Sequence, residues 1–271
     1  MQITNLTSLN FTANINSPKL KFKQADFFVP IRGYGKNPLW AQETKTTADK
    51  AVNMIRNNTS GENVLKFITS GIRYANKLTL DINKVKHSGI LRYKKEGWLN
   101  KSSWFGCNLC TNYSNINRYK SYQERLDKVA LHPLKNPYSD IELTRAKICK
   151  DAHYLQHGSW KCVDYALNKV FDLYDVFKAA FDSKNIKECQ MEDLNETIAE
   201  IRWIMAHATP WERGSDAISN VFMRAMYKSL GVKTFPLKAG ISLDMEAYCT
   251  ELADYKKNFP SYFQREPQII E

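Results

Sequence analysis

The sequence predicts one mainly α domain with a small β or irregular element, on three observations. Apolar residues recur at steps of three and four through most of the chain, the period of a helix face. With 271 residues, 43% of them hydrophobic, there is enough apolar surface for a substantial core. Nothing repeats at a fixed period and no Gly/Ser-rich linker divides the chain, so a single unit over 25–271 is expected behind a leader at 1–24.

Residues 1–24 are rich in Asn, Thr and Ser with weak periodicity, which predicts a disordered or loosely docked leader. Pro and Gly punctuate 27–38, an extended or looped entry, and its Gly33-Tyr34-Gly35 is not read as a phosphate loop. Ala48, Val52 and Ile55 have helical spacing within 40–56, and Val64, Phe67, Ile68, Ile72 and Ala75 mark a second helix after the break at 57–61. Gly89, Gly97 and Gly106 interrupt 77–116, where short strands or a hairpin are expected, for example around Ile90 to Tyr93. Tyr119, Tyr122, Leu126 and Val129 resume the helical period, and the prolines at 133 and 137 end it. A further helix is expected over 139–155. The longest stripe, Trp160, Val163, Leu167, Val170, Tyr174, Phe177 and Phe181, predicts a central core helix. Leu194, Ile198, Ile201 and Met205 mark the next helix, and Ile218, Val221, Phe222, Ala225 and Leu230 the one after, with Gly231 as its stop. A loop at 235–241 precedes a last sizeable helix from Ser242, with Asp244 and Glu246 in its first turn.

The formal charge of +11 favours acidic partners: phosphorylated ligands, or peripheral contact with an anionic membrane. The lysines never form a block of five or six, so no nucleic-acid arm and no nucleic-acid partner is expected. Cys149, Cys162, Cys189 and Cys249 stand singly in apolar patterns and read as reduced core residues. Cys107 and Cys110 form the one CxxC pair, with no second pair or His-x-His to complete a zinc site, so no metal is expected. No apolar run reaches membrane-spanning length, the N-terminus lacks the basic-then-apolar order of a secretory signal, and Gln2 stands where N-myristoylation needs glycine.

The stretch Trp203 to Asp216 joins two apolar helices through a Thr-Pro turn and Arg213-Gly214-Ser215. A helix N-terminus presents unpaired N–H groups and partial positive charge, so phosphate oxygens are favoured there. Gly214 would permit close approach, Ser215 would cap, and Arg213 would fork two hydrogen bonds onto a phosphate. The plainer reading is an interhelical loop with an N-cap.

The run Arg202-Trp203-Ile204-Met205-Ala206-His207-Ala208-Thr209-Pro210-Trp211-Glu212-Arg213-Gly214-Ser215, followed by Gly240-Ile241-Ser242-Leu243-Asp244-Met245-Glu246-Ala247, resembles the C-terminal half of the avirulence protein B family of bacterial type III effectors. Weaker matches are Gln156-His157-Gly158-Ser159-Trp160 and Tyr119-Lys120-Ser121, in order within roughly 27–260. The resemblance implies a Fido-like helical domain, related to Fic and Doc proteins, delivered from a bacterium into the host cytoplasm; the polar leader suits a secretion signal. It implies a nucleotide-sugar pocket and transfer of a deoxyhexose such as rhamnose, from a dTDP- or UDP-linked donor, to Ser or Thr of a host protein.

On that implication Arg213, Gly214 and Ser215 hold the diphosphate, Asp244 accepts the acceptor's proton or holds sugar hydroxyls, His157 binds ligand or shares the proton, and Tyr119 stacks on base or sugar. Each has a structural alternative: a first-turn acid for Asp244, a cap for His157, core packing for Tyr119. The Fic signature His-Pro-Phe-x-x-Gly-Asn-Gly-x-x-Arg is missing, and 119–157 is much shorter than the family's second lobe. A nucleotidyl or phosphoryl transferase and a non-catalytic adaptor that binds a host protein therefore stay open beside the glycosyltransferase.

Overall fold

Asn37 opens helix α1 (Pro38–Arg56): its side-chain oxygen accepts from the Leu39 and Trp40 N–H groups, and Pro38 takes the first helical position, where no N–H is needed. The computed structural model describes residues 22–27, 37–79, 85–92, 101–102, 117–149, 152–181 and 186–270. Most of the leader, the Gly33-Tyr34-Gly35 loop and the Cys107/Cys110 pair lie outside the described residues. Phe22 is already buried, edge-on to Phe27 at 5.3 Å.

Helix α2 (Gly61–Thr79) packs along α1. Strand β1 (Lys101–Ser102), helix α3 (Asn117–Leu131), strands β2 (Arg145–Cys149) and β3 (Ala152–Gln156), and helix α4 (Val163–Ala180) follow. Then come α5 (Met191–Ala208), α6 (Ser215–Ser229), β4 (Val232–Lys233), α7 (Leu243–Cys249), α8 (Leu252–Asn258) and β5 (Gln268–Ile269). The architecture is mainly helical, as the apolar periodicity predicts. No described helix is long and apolar enough to cross a membrane.

Two expectations are corrected. The segment 139–155 is not a helix: β2 and β3 pair antiparallel from Arg145↔Gln156 to Cys149↔Ala152, and β1 adds at Lys101↔Gln156 to give the order β1-β3-β2. Ile141 and Leu143 are buried and Glu142 between them is exposed, so the chain is extended ahead of β2, and the strand is then fixed by its pairing with β3. The helix at the centre is α5 and not α4. Helix α4 buries one stripe but leaves Tyr165 and Val176 exposed. In α5 every residue from Ile201 to Ala208 is buried, so the second half of the helix is enclosed on all sides.

Neighbouring elements bind α5 from each side. Trp203 is fully buried and its indole N–H donates to the Thr250 carbonyl at 3.0 Å, a side chain whose truncation costs about 3–5 kcal/mol in such a site. Tyr122 of α3 donates to Glu246 of α7 at 2.6 Å, and Arg125 pairs with the same carboxylate at 3.0 Å. The end of α6 is held by Arg56, whose guanidinium donates to the Ser229 and Lys228 carbonyls at 3.0 and 3.2 Å.

Candidate anion-binding site

Helix α5 ends at Thr209, which adopts the left-handed conformation (φ 41°) before Pro210. The buried Arg92 closes this end. Its guanidinium donates to the carbonyls of Ala208 at 2.6 Å, Thr209 at 2.7 Å and Gly158 at 3.2 Å, placing a cation where the helix dipole is negative.

The loop that follows runs beside 88–92 as a short ribbon. Arg92 N–H donates to Pro210, Glu212 N–H to Ile90 and Gly89 N–H to Arg213, at 2.9, 2.8 and 3.0 Å. Bridges pair Leu91 with Trp211 and Ser88 with Arg213, and His87 Nδ1 meets Glu212 at 2.6 Å. So the strand-like segment expected near Ile90 exists, and its partner is this distant loop.

At the α6 end, Gly214 occupies the N-cap with φ 95°, a backbone conformation open to glycine and strained for other residues. Ser215 is therefore the first helical residue and not the cap. Its hydroxyl accepts the Trp211 N–H and donates to the Trp211 carbonyl, both at 3.1 Å, which locks the loop onto the helix.

Arg213 sits at the middle of this pinned loop. It is half-buried, and among the described residues its guanidinium has no ion pair or side-chain hydrogen bond. The first-turn N–H groups of α6 beside it have no intrahelical acceptor, as at any helix start. A fixed backbone, an uncommitted cation and a helix N-terminus thus coincide.

Beneath the loop, Arg202 is 1% exposed and bridges two helix starts: Nη1 donates to Asp244 of α7 at 2.6 Å and Nη2 to Asp216 of α6. The attraction of these two carboxylates outweighs burial and lifts the Arg202 pKa above its ordinary value, so the group is a permanent cation. Its Nε is buried and has no hydrogen-bond partner among the described residues. Burial and the nearby Asp244 carboxylate push Asp216 up to about 6, against the pull of Arg202. The Asp216 side chain keeps 40% of its surface open, and water reaching it limits how far this rise goes. Asp244 is 19% exposed.

His157 follows β3 and is buried. Its Nδ1 lies 3.0 Å from the Thr144 hydroxyl and 3.1 Å from the Thr209 hydroxyl. Thr144 donates its proton to the His207 carbonyl and Thr209 to the Ala206 carbonyl, so both hydroxyl oxygens face His157 as acceptors. The network assigns the proton to Nδ1 and the lone pair to Nε2. Burial, with the Arg92 charge nearby, lowers the His157 pKa to about 4, so the ring is neutral at pH 7. His207 is fully buried, accepts the Thr144 N–H at Nδ1 and donates from Nε2 to Ala247; burial lowers it to about 3. The Tyr248 ring centroid is 6.3 Å from that of His157, and burial, with the Asp244 charge next, raises its hydroxyl pKa above the ordinary value.

The structure thus brings together Arg213, Gly214 and Ser215 on one loop, joins Asp244 to that loop through Arg202 and Asp216, and joins His157 to its other end through Thr209. Tyr119 lies in the first turn of α3, and its side chain is outside the described residues. Sequence reasoning missed Asp216, Arg202 and Arg92 as parts of the site. A signal existed for Arg202, a cation inside the apolar run Ile201 to Met205, because such a charge is retained only when paired. Clefts of about 630 and 690 Å³ open elsewhere, and neither is lined by Arg213, Asp216, Asp244 or His157.

No curated protein matches the chain. The model of the AvrB/AvrC avirulence protein family matches residues 107–266, which takes in α3, the α5–α6 loop, Arg202, Asp216, Asp244 and His157. The chain therefore belongs to the AvrB/AvrC family of bacterial avirulence effectors, a membership that implies delivery into host cells and engagement of a host protein.

Proposed function

We propose that this effector is a Fido-type glycosyltransferase that moves a deoxyhexose from a nucleotide-diphosphate donor to a Ser or Thr hydroxyl of a host protein. The reading rests on one observation above the others. Of the two arginines at the α5–α6 junction, Arg202 is neutralised by two carboxylates, whereas Arg213 stands on a pinned loop with its guanidinium uncommitted.

In this reaction the bond from the sugar's anomeric carbon to the diphosphate oxygen breaks, and the acceptor oxygen bonds to that carbon. The departing nucleoside diphosphate takes the electron pair. Arg213 and the α6 N–H groups meet the charge that grows on it, and their fixed positions reduce the reorganisation the step requires. The acceptor's proton goes to a carboxylate of the Arg202 pair, with Asp244 the first candidate. His157 presents the Nε2 lone pair as a hydrogen-bond acceptor toward ligand, a neutral ring being able to accept where a charged one cannot. A nucleotidyl or phosphoryl transfer would use the same phosphate grip, and the mass added to the target separates the chemistries.

One observation favours a second reading, a non-catalytic adaptor. The Ser215 hydroxyl and both carboxylates of the Arg202 bridge already have protein partners. Incubating the purified protein with host lysate and dTDP- or UDP-deoxyhexose, then reading intact masses, decides between them. A target gaining one deoxyhexosyl residue, with no gain for Arg213→Ala, supports the transferase. No added mass with any donor overturns it in favour of the adaptor.

A further inference from the structure

A second basic site lies on the far side of α6 from its N-terminus. A cleft of about 630 Å³ opens between the N-terminal turn at 22–27, the end of α6, and the segment leaving β4, within the size range of small-ligand pockets. Lys23, Lys228, Lys233 and Arg265 line it together with Phe22 and Phe235.

Three of the four charges have no counter-ion among the described residues. Among the described residues, Lys23, Lys233 and Arg265 form no ion pair. Lys228 pairs with Asp49 at 2.5 Å, outside the cleft. The one lining carboxylate, Asp26, is buried and accepts the Lys23 backbone N–H at 2.7 Å, turned to its own chain.

Three of the cations rest on aromatic faces. Lys228 Nζ is 3.9 Å from the Phe22 centroid, Lys233 Nζ 5.0 Å from that of Phe235, and the Arg265 guanidinium carbon 5.6 Å from the same ring. Cation–π contacts are weak beside charge-assisted hydrogen bonds to an anion, so Lys233 and Arg265 are held near one another without being committed, while Lys228 also keeps its pair with Asp49.

The wall behind them is rigid. Arg224, 1% exposed, donates to the Thr234 hydroxyl at 2.9 Å and to the Phe235 carbonyl at 3.1 Å, fixing the backbone that carries Phe235 beside Lys233. Four cations lining one cleft, a fixed backbone at Thr234 and Phe235 and a small volume suit several phosphates carried close together. They suit an extended acidic peptide less well, because its charges would be spread beyond the cleft.

We propose that this cleft binds a compact polyphosphorylated ligand, either a free metabolite or the headgroup of a phosphorylated lipid. The site is separate from Arg213 and does not depend on the transferase reading.

The test titrates the full chain with inositol hexakisphosphate, with phosphatidylcholine vesicles containing phosphatidylinositol bisphosphate against phosphatidylserine vesicles of equal charge, and with poly-glutamate. Binding to the hexakisphosphate is expected, falling at least about tenfold in Lys233→Glu/Arg265→Glu and in Lys23→Glu, and unchanged in Arg213→Ala. Binding to the bisphosphate vesicles over phosphatidylserine assigns the lipid source, and binding to the soluble probe alone assigns the metabolite. Circular dichroism melting confirms that the variants fold. Absence of binding, loss in Arg213→Ala with retention in the double variant, or stronger binding of poly-glutamate would overturn the proposal.

Discussion

Arg202 reaches Asp244 from inside the core, Nη1 to Oδ1 at 2.6 Å, and with its other nitrogen holds Asp216, so one buried guanidinium ties the first turns of α6 and α7 together. Two charges removed from water are costly, and their attraction offsets that cost only while all partners remain. In Arg202→Met the two carboxylates face each other without a cation. A stability loss is expected in urea unfolding, smaller than the about 3–5 kcal/mol of a fully buried pair because both carboxylates reach water. Asp244→Asn should cost less, because Asp216 still balances Arg202.

The same bridge sets the titration of Asp216. Its carboxyl is pushed up to about 6 by burial and by Asp244, and pulled back by Arg202. Removing the Asp244 charge removes one upward push. NMR titration of Asp216 should therefore show a lower pKa in Asp244→Asn than in the wild type. An unchanged value would mean that the two carboxylates do not sense each other.

Stability should fall as the medium is acidified from about pH 6.5. His157 and His207 titrate at about 4 and about 3 in the fold, below the ordinary 6.5, so the unfolded chain binds protons that the folded chain excludes. Their contribution is fully present above pH 6.5 and is lost progressively toward the folded values. For His157 alone the shift corresponds to about 3 kcal/mol. Asp216, raised in the fold, acts in the opposite direction below pH 6, and its partial exposure makes that the smaller effect. Urea midpoints at pH 7.5 and pH 4.5 check the sign, and the slope should flatten in His157→Gln.

Gly214→Ala isolates the loop's backbone. At φ 95° an alanine is strained by about 1–2 kcal/mol, although its Cβ would meet nothing nearer than Ile72 at 3.7 Å. Gly231, at φ 80° with open space around it, is the control for the conformational cost alone. Both substitutions should lower stability by similar amounts, and Gly214→Ala alone should also weaken anion binding beside Arg213.

Much of this was legible in the chain. The helix pairs flanking 57–61 and 209–214 follow from apolar spacing, and the Arg-Gly-Ser loop from its position between two such helices. The hairpin at 145–156 was not, because Leu143, Ala146 and Cys149 also step by three and mimic a helix face, while strand pairing depends on partners distant in sequence. The centrality of α5 was hidden too: its second half, 201–208, is buried on every side and carries no polar face, so its periodicity is weaker than that of the half-exposed α4. The role of Arg202 is invisible without the contact that brings α6 and α7 onto the same side of α5. Arg92 likewise shows its role only once 88–92 lies along the loop after α5.

The most direct test of the account is thermal-shift binding of wild type and Arg213→Ala against a panel of nucleotides and nucleotide sugars. A ligand that binds only the folded state at a hundred times its Kd adds about 2.7 kcal/mol of stability and raises the melting temperature by several degrees. The account predicts a rise in wild type with one dTDP- or UDP-linked sugar that disappears in Arg213→Ala. No rise with any ligand, or an equal rise in the variant, would contradict it and leave the Arg213 loop as a helix junction with an exposed cation.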